Sequence, residues 1–182
     1  MPRIQPIDPN QAQGKAAPLL EGVRKKLGRV PNIFATMAKS PAVLEAYLGF
    51  GRAMNSASLS GALREQIALT VAGANGCRYC ASAHNAVAEM LGVAADERQV
   101  NLNAESGDAK TRAALHFARK IVENRGWVND ADVQAVRDAG YDDAAILEII
   151  AATTINIFTN YFNHIVETEV DFPIVEVPAA TT

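Results

Sequence analysis

The chain is poor in several things at once. Of its 182 residues two are cysteine and one is tryptophan, and aromatic residues make up 6%. So few cysteines exclude a disulfide-stapled secreted scaffold. The two thiols stand only two residues apart, and a loop that short stabilises little when it is cross-linked. Positive charge is not in excess either. A net charge of −3 leaves no basic field to hold a nucleic-acid backbone, so no nucleic-acid partner is expected. No run is apolar for long enough without interruption to span a bilayer, and the opening Met1-Pro-Arg-Ile-Gln-Pro-Ile-Asp-Pro lacks an apolar core. The expectation is a soluble, cytoplasmic protein without a membrane partner.

What the chain does have is alanine, leucine, isoleucine and valine, which carry most of the 49% apolar content. That mixture suits close-packed helices, and the length suits one hydrophobic core. The expected fold is all-α, a single-domain helical bundle. Residues 1–17, with Pro2, Pro6, Pro9 and Gly14, read as an extended arm. Residues 18–170 read as the helical domain, and the proline-bearing 171–182 as an extended tail.

Within the domain, Pro18 opens a helix that Gly28 ends, and Pro31 opens a short one through Met37. Ser40-Pro41 launches a third toward Met54. Ser60 precedes a helical face at Leu63, Ile67, Ala68, Val71 and Ala72, and the break Gly73-Ala-Asn-Gly76 separates it from a helix over Arg78 to Leu91. Helices follow at Asp108–Asn124 and Asp130–Ala139. The last, from Asp142 to about Val170, is apolar nearly all round, so subunit contacts are its expected cover. Thr153, Asn156, Asn160, His164 and Glu167 form a polar stripe along it, read as a hydrogen-bonded seam.

The chemistry-bearing pattern is Glu65-x11-Cys77-Arg-Tyr-Cys80-x3-His84, lying on the helical hairpin. Counted from the turn between Ala74 and Asn75, Glu65 and His84 sit level, Cys80 lies one turn from His84 on the same face, and Cys77 lies a turn nearer the hairpin mouth. A carboxylate can then polarise an imidazole, the imidazole can take a proton from Cys80, and Cys77 can close a disulfide. Cysteines three apart on one helical turn have Cβ atoms about 5 to 6 Å apart, so oxidation needs a modest distortion and the bridge is reversible. The helix dipole favours Cys77 as the more acidic thiol, whereas proximity to the base favours Cys80.

The stretch Leu59–Leu91, with Glu65, Cys77, Cys80 and His84 at this spacing, resembles the alkylhydroperoxidase D-like branch of the carboxymuconolactone decarboxylase superfamily. Val30-Pro-Asn-Ile-Phe-Ala35 and Thr159-Asn-Tyr-Phe-Asn-His-Ile-Val-Glu-Thr-Glu-Val-Asp-Phe-Pro173 resemble its peroxidase-related members. The resemblance implies an all-helical homotrimer or homohexamer that reduces hydroperoxides in antioxidant defence without a cofactor or metal. An external dithiol or thioredoxin-like partner would reset it. It also implies Cys80 as the peroxidatic cysteine, Cys77 as the resolving one, and His84 and Glu65 as the proton relay. One departure stands out: the best-known member carries a histidine between the cysteines, where this chain has Tyr79, a poor proton shuttle near neutral pH.

Three rivals use the same residues differently. Cys77, Cys80 and His84, with Glu65 as a fourth ligand, would make a metal-binding or regulatory helical oligomer. A carboxymuconolactone decarboxylase-like lyase would share only the fold. A disulfide oxidoreductase would lack the peroxide step. Elsewhere, His116 and His164 read as structural, Trp127 as packing a corner, and Met37, Met54 and Met90 as core. Arg78 reads as either a helix-start charge or a thiolate stabiliser.

Overall fold

The helices form where short polar or glycine signals interrupt long alanine-rich runs. In a computed structural model that describes residues 1–177, nine α-helices and one 3-10 turn follow one another, and the described residues contain no strand. They are α1 (Ala16–Leu27), α2 (Asn32–Met37), α3 (Pro41–Ala53), α4 (Gly61–Asn75), α5 (Arg78–Met90), α6 (Ala95–Asn101), α7 (Ala109–Glu123), α8 (Asp130–Asp138) and α9 (Asp143–Val166). The expected tail beyond residue 177 lies outside the described residues.

Helix α4 occupies the centre because it has no polar face to give to solvent. Its Leu63, Ile67 and Val71 pack with Leu115 and Ala118 of α7 and Ile149 of α9. From its opposite side Leu69 and Ala72 join Leu20, Met37, Leu44, Leu102, Cys77 and Cys80. One helix therefore feeds two apolar clusters, and the thiols belong to the second. Gly73 lets α4 and α6 touch: a Cβ there would stand 1.9 Å from the backbone oxygen of Leu102.

The hairpin between α4 and α5 is set by Gly76. Its φ of 64° is left-handed, and Gly76 N–H and Cys77 N–H donate to the Gly73 and Ala72 carbonyls in the double-bonded helix stop that glycine favours. This turns the chain at once into α5. Ser60, Asp108 and Asp142 cap α4, α7 and α9 with their side chains, and Asn129 with Asp132 forms a reciprocal capping box on α8.

Several expectations are corrected. Helix α1 begins at Ala16, two residues ahead of Pro18. The short α6 goes unforeseen because Ala95–Asn101 has too few apolar residues to show a period. Helix α9 stops at Val166, not Val170, because Glu167 takes a left-handed φ of 56°. Trp127 is 86% exposed and packs no corner of this chain, and Met90 is 84% exposed where a core residue was expected. Met54 is only half-buried. Both of these methionines end a helix, where the repeat no longer reports the buried face.

Candidate active site

Helices α4, α5 and α9 bring the reactive groups together. Nδ1 of His84 on α5 lies 2.7 Å from Oε2 of Glu65 on α4, and each side chain is 20% exposed. The levels counted across the hairpin thus become a direct contact. Cys80 is buried in the first turn of α5, and Asn163 Nδ2 of α9 donates to its sulfur at 3.1 Å. Thr159 Oγ1, one turn earlier on α9, lies 3.9 Å from the same sulfur. His84 and Cys80 make no direct hydrogen bond in the structure, so the imidazole acts on the thiol through its charge.

Cys77 is not on the helix. It is the residue before α5, with extended backbone angles of φ −86° and ψ 92°. Two cysteines on one helical turn were expected. Instead the Gly76 stop has used the Cys77 N–H to close α4, and the Cys77 carbonyl starts α5 by accepting from Ala81. The fixed separation of two helical Cβ atoms therefore does not apply to the pair. Both thiols are free and buried.

The two sulfurs differ in acidity. The hydrogen bond from Cys77 is the largest influence on Cys80, and with the His84 charge, Asn163 and Thr159 it outweighs burial and lowers the Cys80 pKa to about 6. Cys77 moves the opposite way, pushed up by sharing that hydrogen bond and by burial. These neighbours favour Cys80 over Cys77 as the more acidic thiol. Burial disfavours charge on His84, yet the Glu65 carboxylate, with Cys80 and Asn156, raises its pKa above the usual value. An imidazolium next to a thiolate is the favoured charge state.

Tyr79 does not join this group. Its hydroxyl donates to Asp171 Oδ1 at 2.9 Å and accepts from Ile33 N–H at 3.2 Å. Burial, followed by the Asp171 charge, raises the pKa of its phenol above the usual tyrosine value, so it stays a neutral hydroxyl. Its ring meets Phe172 edge-on at 5.8 Å. Arg29 completes a clasp, pairing with Asp171 Oδ2 at 2.8 Å and lying 4.3 Å over the Phe172 ring. The chain after α9 is thus tied to α5 through Tyr79, one of the two residues between the cysteines, and Val175 N–H adds a bond to Ser82 Oγ.

The polar seam of α9 is real but rotated from the expected stripe. Thr153, Asn156, Thr159, Asn160 and Asn163 are buried, whereas His164 and Glu167 are exposed. A helical count of 156, 159, 160 and 163 would have found Asn163. The sequence also gave no reason to include Tyr47 of α3, whose phenol is pushed up by burial and by the charges of Cys80 and Glu65. His116 is exposed beside Glu105, and Arg78 is exposed at the start of α5. Among the described residues no three histidine, cysteine, aspartate or glutamate side chains converge as a metal site.

Residues 41–120, which span α3 to most of α7 and include the cysteine hairpin, match the carboxymuconolactone decarboxylase family. A peroxidase-related protein from Ralstonia eutropha JMP134, described as an alkylhydroperoxidase AhpD core, has a similar structure at a TM-score of 0.82 and 27% identity. The alignment covers 93% of this chain and 92% of that one. A peroxidase-related protein from Silicibacter sp. TM1040 gives 0.80 at 25% identity, with 92% of each chain covered. The debrominase Bmp8 shares the fold, at a TM-score of 0.80 and 23% identity over 93% and 92% of the two chains. No curated protein sequence matches the chain.

Proposed function

Because the chain belongs to the carboxymuconolactone decarboxylase and alkylhydroperoxidase D-like superfamily, we propose that it is a thiol peroxidase acting on hydroperoxides. One arrangement carries this reading: a buried Cys80 sulfur hydrogen-bonded by Asn163, with Cys77 beside it and the Glu65–His84 pair one turn away.

The Cys80 thiolate attacks the terminal oxygen of the hydroperoxide. The S–O bond forms as the O–O bond breaks, and the alkoxide leaves with a proton from the His84 imidazolium, giving alcohol and a Cys80 sulfenic acid. The Cys77 thiol then attacks the sulfenic sulfur, so a disulfide forms and water leaves. An external dithiol or thioredoxin-like protein returns both cysteines to thiols and is itself oxidised to a disulfide. Glu65 holds and charges the imidazole, and the seam of α9 holds the sulfur.

A thiol cycle of this kind suits the reducing cytoplasm. Helix α9 is long and apolar enough to cross a membrane by composition, but it packs against α4, α5, α7 and α8 as a core helix does. Leu147, Ile150, Tyr161 and Ile165 remain exposed along it, which supports subunit contacts in a homo-oligomer such as a trimer or hexamer.

The test is turnover of cumene hydroperoxide with dithiothreitol, comparing wild type with Cys80→Ser. Loss of turnover in the variant is expected. Full turnover without the Cys80 thiol would sink the proposal.

A further inference from the structure

We propose that the rings of Phe34, Tyr47, Phe158 and Phe162 form the binding wall for the organic part of the hydroperoxide, and that this part is an aryl or similarly bulky hydrocarbon group. The proposal rests on the hydroperoxidase reading and gives its substrate a class.

The chain has only six phenylalanines, and three of them gather here with Tyr47. Phe34 of α2 lies 5.9 Å from the Tyr47 ring of α3, Tyr47 lies 6.3 Å from Phe158, and Phe158 lies 6.2 Å from Phe162, both on α9. These are tilted ring contacts at ordinary aromatic spacing, a surface that accepts another flat ring. Three helices contribute, so the group is not a by-product of one helical repeat.

Its position ties it to the chemistry. Phe158 and Phe162 immediately precede Thr159 and Asn163, the two α9 residues that approach the Cys80 sulfur. Phe34, Tyr47 and Phe162 pack against the same buried cluster that contains Cys77 and Cys80. None of the four rings is fully buried, and Phe158 keeps 41% of its surface exposed. The wall therefore extends from the half-exposed Phe158 ring to the buried cluster that holds the thiols.

Tyr47 adds a polar end. Its hydroxyl has no hydrogen-bond partner among the described residues, whereas the hydroxyl of Tyr79 has two. It feels the charges of both Cys80 and Glu65, and burial keeps it a neutral donor. An apolar surface with one unpaired donor close to a thiolate suits a molecule with a hydrocarbon body and a peroxide head. The Tyr47 hydroxyl would donate to the peroxide oxygen that becomes the alcohol and so orient the O–O bond for attack.

The test compares kcat/KM for hydrogen peroxide, tert-butyl hydroperoxide and cumene hydroperoxide, with dithiothreitol as reductant, in wild type, Phe158→Ala, Phe158→Leu and Tyr47→Phe proteins. Wild type should favour the cumyl over the tert-butyl substrate by about tenfold, the scale expected for burying one phenyl ring against others. Phe158→Ala should cut that ratio several-fold through KM, Phe158→Leu by less, and Tyr47→Phe should lower kcat. Equal kcat/KM for the two organic substrates, or a ratio unmoved in both Phe158 variants, would overturn the wall. If no peroxide is turned over, the hydroperoxidase reading fails, and the wall is then judged by titrating 2-phenyl-2-propanol into the Cys80→Ser protein. Binding weakened by Phe158→Ala upholds the aryl site, and absence of binding overturns it.

Discussion

His84 and Glu65 are nineteen residues apart in sequence and 2.7 Å apart in space, joined across the two helices of the Gly76 hairpin. The contact favours charge on the imidazole, because burial works against that charge and the carboxylate more than offsets burial. Glu65→Gln keeps the shape and removes the charge. We expect the His84 pKa to fall and the Cys80 midpoint to rise, with loss in kcat rather than KM. Imidazole proton shifts across a pH titration check the first point, and steady-state kinetics the second. An unchanged His84 titration would remove Glu65 from the relay.

The acidity of Cys80 predicts a pH profile. With its pKa lowered to about 6, the thiolate fraction is half at that pH, falls tenfold per pH unit below it, and is nearly complete at neutrality. A free thiol would still be mostly protonated there. The rate of iodoacetamide alkylation in the Cys77→Ser background, followed from pH 4 to 9, should level off well below pH 8. Because the serine hydroxyl in that background can still donate to the Cys80 sulfur, its plateau should begin near that of peroxide reduction in wild type, whereas a Cys77→Ala background, which lacks the donor, should begin its plateau higher.

Asn163 is the clearest residue to test next. Its amide donates to the Cys80 sulfur from within a buried seam, and a hydrogen bond to a charged group contributes about 1.5 to 3 kcal/mol. Asn163→Ala should raise the midpoint of the Cys80 titration by about one pH unit or more. Melting temperature should change less than that of a core truncation. The ultraviolet absorbance of the thiolate, followed against pH, measures the effect.

Gly73 predicts a purely structural failure. The Cβ of Gly73→Ala would meet the Leu102 backbone oxygen at 1.9 Å, and backbone cannot turn aside as a flexible side chain can. A loss of about 3 kcal/mol is expected, at the upper end for overpacking. Urea unfolding should show the midpoint drop without a change in slope.

Much of this site can be read from the chain because it is local. Glu65, Cys77, Cys80 and His84 fall within one hairpin, and a helical repeat with one glycine stop is enough to level them. What crosses the fold is harder. Asn163, Thr159 and Tyr47 reach the site from α9 and α3, and only packing decides which face of those helices turns inward. The seam of α9 holds at Thr153, Asn156 and Asn160 and fails at His164 and Glu167, because the last turn directs Asn163 and Val166 inward and leaves their neighbours on the outer face. Cys77 was assigned to the helix because Cys-x-x-Cys spacing says nothing about where a preceding glycine stop ends. Tyr79 stands out in the sequence only as a departure from the histidine that the best-known relative carries between its cysteines, whereas in the fold its hydroxyl is engaged by Asp171 on the far segment.

That engagement makes the residues after α9 part of a thermodynamic cycle with the cysteines. Tyr79 is anchored from outside by Asp171, Ile33 and Phe172, so any strain that a Cys77–Cys80 bond puts on the first turn of α5 is felt at the anchor. Whatever free energy the anchor withdraws from the disulfide form must reappear as a higher reduction potential, at about 30 mV for each 1.4 kcal/mol. Cutting the anchor with Tyr79→Phe would then make the pair a stronger reductant, which equilibration against a glutathione buffer can read. In the proposed cycle, the clasp after α9 would set the potential of the cysteine pair.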